Sequence, residues 1–439
     1  MEFEYKEDKI NYDGIPSSVS QRTPKSVTDL ISKKDFVIDV HTHFFDMHCI
    51  NKGYFLIRMM KDFLGLKSIV SGKIEHYGVE QVYDEIGIGS DNWQDELYNQ
   101  LNTKEVEIVS INADKKGIID IVNARKLLRM KEMSDVYWYY LNSFSLAKCF
   151  ENVPDDNVLT TVLMMDIEMG WGTSLKKKFH QQISEVKELT KTFPVLPFLA
   201  CDPRRAELSE PNENLYQLFN TAFCEGIPFF GVKIYPAMGY HPSDYRLWPI
   251  YEICEQYNIP ILSHNGGEAV STNQRDIEVF AGKDKIKISG KSRADIAYKL
   301  NDPKNWEIAL KMFPKLRLDL AHFGSNQTWE SSGTLPVSKD PQQRKETIIN
   351  FMGEYANVYS DFAFSLADLN ISKNLKNRLV SEQIVRDKTL FGSDFWVISP
   401  QGNLHLMQED FIHILDENAQ ELDLRTKLCK INPMKFLFG

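Results

Sequence analysis

The sequence predicts an α/β protein built as a (β/α)8 barrel of the TIM type, with a large, mainly helical insertion after its first strand. Three observations predict this fold. Short apolar runs alternate with amphipathic helical patterns from residue 158 to the end of the chain. One further apolar run, Phe36–Val40, stands well before them. No run is followed by a glycine-rich phosphate loop, which disfavours the alternative of an open, doubly wound sheet.

Eight apolar runs are the predicted barrel strands. Strands buried on both faces read as continuous apolar runs, and the helices between them imply parallel strands joined by right-handed crossovers. The predicted strands are Phe36–Val40, Val158–Met165, Phe193–Ala200, Phe229–Tyr235, Ile259–Ser263, Leu316–Ala321, Val358–Asp361 and Thr389–Phe391. The predicted helices are Ser174–Thr192, Asn214–Glu225, Tyr245–Tyr257, Asn305–Phe313, Arg344–Tyr355, Lys373–Gln383, Leu404–Glu417 and Leu422–Asn432.

Two segments lie outside this regular pattern. Residues 1–35 are polar and contain several serines and prolines, which predicts an N-terminal arm with a short helix near Val27–Ser32. Residues 44–155 show helical spacing of apolar residues and end in an aromatic-rich stretch, so we predict a helical insertion. The barrel domain is then 36–43 together with 156–439. The helical stretches of the insertion are Tyr54–Leu66, Gly78–Ile86, Asp91–Leu101, Ile119–Met133 and Tyr137–Phe150.

The composition indicates a globular protein with a sizeable core. Of its 439 residues, 43% are hydrophobic and 12% aromatic, and the net charge is −10. A nucleic-acid or anionic membrane partner would require a basic face, so we expect neither. The six cysteines form no CxxC pair, and no apolar run approaches the ~20 residues of a membrane span. We therefore expect a cytoplasmic protein, and a homo-oligomer is compatible with this composition.

Polar, chemically active side chains stand in or directly after five of the predicted strands. In a (β/α)8 barrel the catalytic groups lie at the carboxyl ends of the strands, where side chains from different strands meet. Each residue alone fits a structural role, such as a hydrogen-bonded histidine or an aspartate that caps the next helix. Together they favour a metal site, because a divalent metal takes imidazole and carboxylate ligands from several directions. They are His41 and His43 after strand one, Lys233 in strand four, His264 after strand five, His322 after strand six and Asp394 after strand eight.

These motifs resemble the amidohydrolase superfamily, in particular amidohydrolase family 2, which has an ACMSD-like branch that contains decarboxylases. They occur in the family's order and cover strand one and residues 158–439, whereas the 44–155 insertion has no counterpart. The matching pieces are Val-Ile-Asp-Val-His-Thr-His, Gly-Val-Lys-Ile-Tyr-Pro, Ile-Pro-Ile-Leu-Ser-His, Leu-Asp-Leu-Ala-His-Phe-Gly, Leu-Phe-Gly-Ser-Asp and the closing Asn-Pro-Met-Lys-Phe-Leu-Phe-Gly.

The resemblance implies a divalent metal as the cofactor, and zinc is the ion we expect. It implies that His41, His43 and Asp394 bind this metal and that His264 is a further ligand. One ion or two would fit, because members of the family differ in the number of metals that they hold.

The resemblance also gives roles to two residues beside the metal. His322 would be a ligand of a second metal or a hydrogen-bonding group near the bound water. Lys233 stands on the strand where binuclear members carry a carboxylated lysine that bridges two metals. An uncarboxylated Lys233 would instead hold a substrate carboxylate as a point charge.

The activity predicted from this set is metal-dependent hydrolysis of a small molecule, which could itself carry a carboxylate. A bound metal lowers the pKa of a water molecule, and Asp394 acts as general acid and base while that water attacks an amide, lactone or ester carbonyl. One alternative is a non-oxidative decarboxylase on the same scaffold. A second is a non-catalytic barrel that binds a partner through the helical insertion, which the complete ligand set disfavours.

Other polar residues are candidates for substrate contact or for orienting the ligands. Arg204, after strand three, could bind a substrate carboxylate, although a salt bridge is the commoner role for such an arginine. Tyr235, His241 and Trp396 are predicted to line the pocket. Asp361, at the end of strand seven, is predicted to orient a histidine ligand.

Overall fold

Eight parallel strands pair side by side in the order in which they occur along the chain, which confirms the predicted (β/α)8 barrel. The Val40 N–H donates to the Phe391 carbonyl (3.1 Å) and the Asp394 N–H to the His41 carbonyl (2.8 Å), so the ends of the first and last strands are joined. The strands of this computed structural model are β1 (Val37–Asp39), β2 (Val158–Leu163), β3 (Val195–Ala200), β4 (Gly231–Ile234), β5 (Ile261–His264), β6 (Asp276–Ala281), β7 (Asp284–Ser289), β8 (Leu318–Ala321), β9 (Val358–Asp361) and β10 (Thr389–Leu390).

The structure describes most of the barrel and only the two ends of the predicted insertion. The insertion helices predicted within 54–129 lie outside the described residues. The described residues are 9–46, 48–49, 130–172, 175–266, 270–274, 276–325, 329, 339–363, 369–399, 404–417 and 420–439.

Helices follow most of the barrel strands, as the alternating pattern predicts. None of the helices in the described ranges is long and apolar enough to cross a membrane. The helices are α1 (Val19–Arg22), α2 (Lys25–Ser32), α3 (Met133–Phe144), α4 (Ile167–Trp171), α5 (Phe179–Thr192), α6 (Leu215–Cys224), α7 (Trp248–Gln256), α8 (Arg293–Leu300), α9 (Glu307–Met312), α10 (Lys339–Glu354), α11 (Leu369–Ser381), α12 (Gln383–Lys388), α13 (Phe395–Ile398), α14 (Leu404–Asp416), α15 (Leu424–Thr426) and α16 (Asn432–Phe438).

An antiparallel hairpin between β5 and α8 was not predicted from the sequence. Strands β6 and β7 pair from Asp276↔Ser289 to Ala281↔Asp284. One face of this hairpin, formed by Ile277, Val279 and Ile288, packs on α8, while the other face is charged. The alternation of apolar and polar residues is that of a sheet with one solvated face. It is a different signal from the continuous apolar runs of the barrel strands.

A compact apolar cluster fills the lower part of the barrel. Its members come from strands on all sides, including Ile38, Phe198, Leu262 and Leu390, and the C-terminal Phe436 joins them. Gly231 in β4 allows this packing, because a Cβ at that position would lie 2.4 Å from Cε1 of Phe198. The interior is therefore closed by apolar side chains on one side, and polar groups gather at the carboxyl ends of the strands.

The N-terminal segment, predicted as an arm, packs against the rest of the chain. Helix α2 places Val27 and Leu30 in the cluster that fills the barrel. The fully buried Arg22 of α1 donates to the carbonyl oxygens of Pro16 (2.8 Å) and Tyr257 (2.9 Å). Burial lowers the pKa of this guanidinium to about 10. The predicted short helix near Val27–Ser32 is present and begins two residues earlier.

Candidate metal centre

The two histidines that follow β1 are buried, and each has one ring nitrogen engaged. His41 Nδ1 lies 2.7 Å from Asp361 Oδ2, and His43 Nδ1 lies 2.8 Å from the carbonyl oxygen of Leu163. Carboxylate and carbonyl oxygens accept hydrogen bonds, so both Nδ1 atoms donate, and Nε2 is the nitrogen of each ring that could bind a metal. The ring centroids are 5.4 Å apart. An imidazole binds a metal through a ring nitrogen that carries no proton.

Asp361, at the end of β9, accepts hydrogen bonds from three residues around the site. Its Oδ1 accepts the backbone N–H groups of His322 (2.9 Å) and Ala363 (3.0 Å), while Oδ2 accepts from His41. Burial opposes ionisation of this carboxyl group, but its interactions with His41 and His322 outweigh burial and hold its pKa below the usual range. The structure therefore gives Asp361 the orienting contact with a histidine that the sequence predicts.

Asp394 follows β10 in a strained conformation beside His41. Its φ is +50°, in the left-handed region, and strain of this kind costs about 1–3 kcal/mol for a residue other than glycine. Gly392, two residues before Asp394, allows the backbone to pass close to His41, because a Cβ at Gly392 would lie 2.5 Å from the Cβ of His41. Burial raises the pKa of Asp394 to about 6, against the opposing charges of His41 and Lys233. Asp394 Oδ1 lies 3.8 Å from His43 Nε2.

The histidines that end β5 and follow β8 form a pair. His322 Nε2 lies 2.9 Å from His264 Nδ1, and His322 Nδ1 lies 3.2 Å from the carbonyl oxygen of Ala363. The carbonyl fixes the proton on His322 Nδ1, so His322 Nε2 accepts from His264 Nδ1, and Nε2 is the nitrogen of His264 that could bind a metal. Burial and the neighbouring His41 lower the pKa of His322 to about 3. The His322 ring is thus arranged as a neutral imidazole.

Ligand atoms from three of these residues converge. One ligand atom each of His41, His322 and Asp394 lies within 4.8 Å of the others, a spacing at which one ion could be held. His322, which the resemblance assigns to a second metal or to hydrogen bonding, is therefore placed with His41 and Asp394. His264 reaches this group through its hydrogen bond to His322.

A buried cation lies among buried carboxylates in the same part of the barrel. Lys233 Nζ is fully buried and has no hydrogen-bond partner among the described residues. Burial lowers the pKa of Lys233 to about 8, although the carboxylates of Asp361, Asp394 and Asp319 act in the opposite direction. Burial first, and then Asp361, raise the pKa of Asp319 well above its usual range. Burial therefore favours the neutral forms of both Lys233 and Asp319 in this part of the site.

The four residues predicted to contact substrate have different surroundings. The Arg204 guanidinium is held by both carboxylate oxygens of Asp202 (2.9 and 2.6 Å) and by the Met238 carbonyl oxygen (3.0 Å). The Tyr235 ring stacks on His264 with centroids 4.1 Å apart, and its centroid lies 5.5 Å from Lys233 Nζ. Tyr235 is thus next to the candidate ligands, whereas the charge of Arg204 is already paired.

The other two of these residues are also buried, Trp396 in the short helix α13 and His241 in a loop. Trp396 donates from Nε1 to the carbonyl oxygen of Phe45 (2.9 Å) and packs on the Phe45 ring, so it joins the loops that follow β1 and β10. His241, in the loop after β4, is 5% exposed, and its Nδ1 accepts the N–H of Ser243 (3.1 Å). Burial lowers the pKa of His241 to about 4.

Two aspartates of the site were missed in the sequence. Asp319 stands inside the apolar strand β8, and the reasoning that singled out Lys233 in β4 applies to it equally, because a buried charge needs a partner. Asp39, the last residue of β1, accepts the N–H groups of His41 (3.3 Å) and Ser393 (2.9 Å). The sequence signal for Asp39 is weak, since an aspartate at a strand end is common.

A second group of possible ligand atoms, in Asp46, Cys49 and Glu185, already has a cation. Lys177 Nζ lies 2.5 Å from Asp46 Oδ2 and also forms an ion pair with Glu185. Burial, followed by the charge of Asp46, raises the pKa of the Cys49 thiol, which disfavours the thiolate that a metal would need. This group therefore has the chemistry of a buried ion-pair cluster.

We expect His241 to make the protein less stable in acid. Its pKa is about 4 in the folded protein and near 6.5 when unfolded, so below pH 6.5 the unfolded chain takes up a proton that the folded chain does not. The free energy of unfolding should fall by up to about 1.4 kcal/mol per pH unit between pH 6.5 and 4 on this account. His241→Asn keeps an acceptor for Ser243, and urea unfolding at a series of pH values should show a shallower fall. Equal slopes for the two proteins would contradict this assignment.

Part of this chain matches a known protein family. Residues 225–439, just under half of the chain, match the family model described as "Amidohydrolase". A threonine–tRNA ligase of Vesicomyosocius okutanii is 29% identical over 163 residues, which are 31% of this chain and 26% of that protein. The chain thus spans about a quarter of the length of the curated relative that it matches.

Solved structures with a low likeness include three enzymes. The 4-oxalomesaconate hydratase LigJ of Rhodopseudomonas palustris is 14% identical, with 92% of this chain and 95% of that chain covered, at a TM-score of 0.39. The 5-carboxyvanillate decarboxylase LigW2 of Novosphingobium aromaticivorans is 13% identical (73% and 93% covered, TM-score 0.40). The uronate isomerase of Thermotoga maritima is 11% identical (95% and 98% covered, TM-score 0.42). The activities in these names are those of the other proteins.

The family match and the fold agree. The matched residues contain β4, β5, β8, β9 and β10, the strands that carry Lys233, His264, His322, Asp361 and Asp394. Residues 225–439 are thus similar to the amidohydrolase family in the part of the barrel that holds most of the His/Asp group.

Proposed function

We propose that this chain is a metal-dependent hydrolase that holds a divalent ion, zinc in the first instance, with His41, His43, His264 and Asp394. The observation that carries the proposal is a pair of buried atoms, His41 Nε2 and Asp394 Oδ1, which lack a hydrogen-bond partner in the described part of the chain. Each such unpaired atom costs about 1–3 kcal/mol. A divalent cation satisfies an imidazole nitrogen and a carboxylate oxygen together, so the donor set fits a metal ion.

The hydrogen bond between His264 and His322 supports the ligand role of His264. It places the His264 proton on Nδ1, so Nε2 is the nitrogen of this ring that would bind an ion. One ligand atom of His322 lies with His41 and Asp394, but its Nδ1 is bonded to the Ala363 carbonyl oxygen and its Nε2 to His264. We propose that His322 shares a second ion only where that ion replaces the His264 hydrogen bond. Whether the site binds one ion or two is part of the proposal's test.

The residues of the site suit hydrolysis at a carbonyl. A bound divalent ion would lower the pKa of water and polarise the carbonyl of the substrate. Asp394 would accept a proton from the attacking water and pass it to the leaving amine or alcohol. Lys233 would stabilise the negative charge that develops on the carbonyl oxygen. An amide, ester or lactone is therefore the proposed substrate class.

Lys233 also bears on the choice of substrate within this class. Its ammonium group is fully buried and unpaired among the described residues, so a carboxylate on the substrate would be a suitable partner. We propose lactones and N-acyl compounds that carry a carboxylate as the first compounds to examine.

Metal analysis of the purified full-length protein tests the first part of the proposal. We expect a stoichiometric divalent metal in the wild type and its loss in His41→Ala/His43→Ala, because two ligand nitrogens are removed. His405→Ala/His413→Ala is the matched control, since both of these histidines lie on α14 and pair with glutamates of the same helix. A wild-type protein that contains no metal after purification, and takes up none, would overturn the proposal.

A substrate screen tests the reaction. Lactones and N-acyl compounds should release acid in the presence of the metal-loaded protein, and aromatic carboxylates should not release CO₂. CO₂ release without acid formation would replace hydrolysis by the decarboxylase alternative, in which the acid protonates carbon. Absence of both reactions from a protein that binds metal would favour the non-catalytic alternative.

A further inference from the structure

Helix α3, at the end of the predicted insertion, packs against both loops that carry candidate ligands. Phe44 is next to His43, and Phe395 is next to Asp394; their ring centroids are 6.0 Å apart. Tyr140 of α3 lies between them, 5.6 Å from Phe44 and 5.1 Å from Phe395. Phe144 of α3 adds a contact with Phe395 at 5.5 Å. Such aromatic pairs contribute about 0.5–1.5 kcal/mol each beyond area burial.

A buried hydrogen-bond chain runs from the same helix to the same loops. The hydroxyl of Tyr140 donates to Asp39 Oδ2 (3.0 Å), and both groups are fully buried. The other oxygen, Asp39 Oδ1, accepts the N–H of His41 (3.3 Å) and of Ser393 (2.9 Å), the residue before Asp394. The Asp39 carboxylate thus connects α3 with the backbone of His41, a candidate ligand, and with the backbone of Ser393, which precedes the candidate ligand Asp394.

We propose that α3 is a strut that sets the spacing of the candidate ligands, with Tyr140 acting through Asp39 as a positioning residue. The inference rests on the proposed metal site. It gives a role to this chain's own insertion, to which the resemblance offers no counterpart. The Asp394 N–H already donates to the His41 carbonyl oxygen (2.8 Å), and α3 adds side-chain contacts to both of these segments. Tyr140 supplies contacts to both loops at once, through its ring and through its hydroxyl.

Tyr140→Phe separates the hydroxyl from the ring. The aromatic contacts remain, but Asp39 Oδ2 loses its buried donor, and the segments that Asp39 joins lose their fixed position. Loss of a group that orients metal ligands typically weakens metal affinity about 10- to 100-fold. The matched control is Tyr251→Phe, because Tyr251 is also fully buried and its hydroxyl donates to the Pro242 carbonyl oxygen (2.6 Å) in the β4–α7 connection.

The experiment measures metal binding in the full-length chain. Zn²⁺ affinity is obtained by competition with a chelator, and the visible spectrum of the Co²⁺-loaded protein reports the ligand geometry. We expect at least about a tenfold weaker affinity and an altered Co²⁺ spectrum for Tyr140→Phe, with neither change for Tyr251→Phe. Wild-type affinity and spectrum in a folded Tyr140→Phe would overturn the strut and leave the metal site standing.

Two further outcomes are decisive. A wild type that binds neither ion overturns the proposed function, and the strut falls with it. If Tyr140→Phe does not fold, Phe144→Leu replaces it, because this change loosens α3 on Phe395 without touching the hydrogen bond. A weaker affinity in Phe144→Leu supports the strut, and an unchanged affinity rejects it.

Discussion

Asp394→Asn is expected to lower kcat by about 10²–10⁴, the range that general acid–base groups contribute. The amide keeps the size of the side chain but cannot take up a proton, and its oxygen is a weaker ligand than a carboxylate oxygen. The loss should persist when metal is added in excess, because a missing acid/base group is not replaced by a higher ion concentration. Steady-state kinetics on the best compound of the screen, with metal content measured on the same samples, provides the measurement.

The comparison with a second carboxylate makes this result specific. Asp416→Asn alters an aspartate of α14 that is paired with Arg425 (3.2 Å), and it should leave kcat unchanged. An Asp394→Asn protein with wild-type turnover would show that another group moves the proton. If turnover is restored fully by excess metal, Asp394 would be a ligand without an acid/base role.

The barrel could be predicted from the sequence because its strands are buried on both faces. Val158–Met165 was predicted and β2 spans Val158–Leu163, so existence and order were clear while ends differed by a few residues. The hairpin β6–β7 and helix α8 were missed between predicted elements. The alternating apolar signal of the hairpin is present in Ile277–Val279 and Ile286–Ile288. A repeat of strands and helices does not require an extra hairpin, so this signal was not used.

The location of the candidate site could be predicted for a topological reason. In parallel strands the carboxyl ends meet at one edge, so His41, His264, His322 and Asp394 had to approach one another once the barrel was inferred. Pairings between distant segments could not be predicted. The link of Tyr140 to Asp39 joins residues 101 positions apart, and nothing local to either residue indicates the other.

The replacement of Lys233 by methionine is the second change for which we expect a large loss. Methionine fills a similar volume but carries no charge, so Asp319, Asp361 and Asp394 lose a neighbouring buried cation. Removing a group that stabilises developing charge typically lowers kcat by about 10²–10³. Lys388→Met is a matched control, because burial also lowers the pKa of Lys388 to about 8 and its Nζ donates to the carbonyl oxygens of Met352 and Tyr355.

Metal content distinguishes the two roles that are open for Lys233. A lysine with a pKa of about 8 is half neutral at that pH, and a neutral amine is the form that reacts with CO₂ to give a carbamate. If Lys233 bridges two ions as a carbamate, Lys233→Met should fall from two bound ions to one, and ¹³C-bicarbonate should give a carbamate NMR signal in the wild type alone. If Lys233 acts as an ammonium group, the number of bound ions should stay the same and KM for carboxylate substrates should rise. A Lys233→Met protein with wild-type kinetics and wild-type metal content would exclude both roles. Each role predicts a change in one of these two measurements.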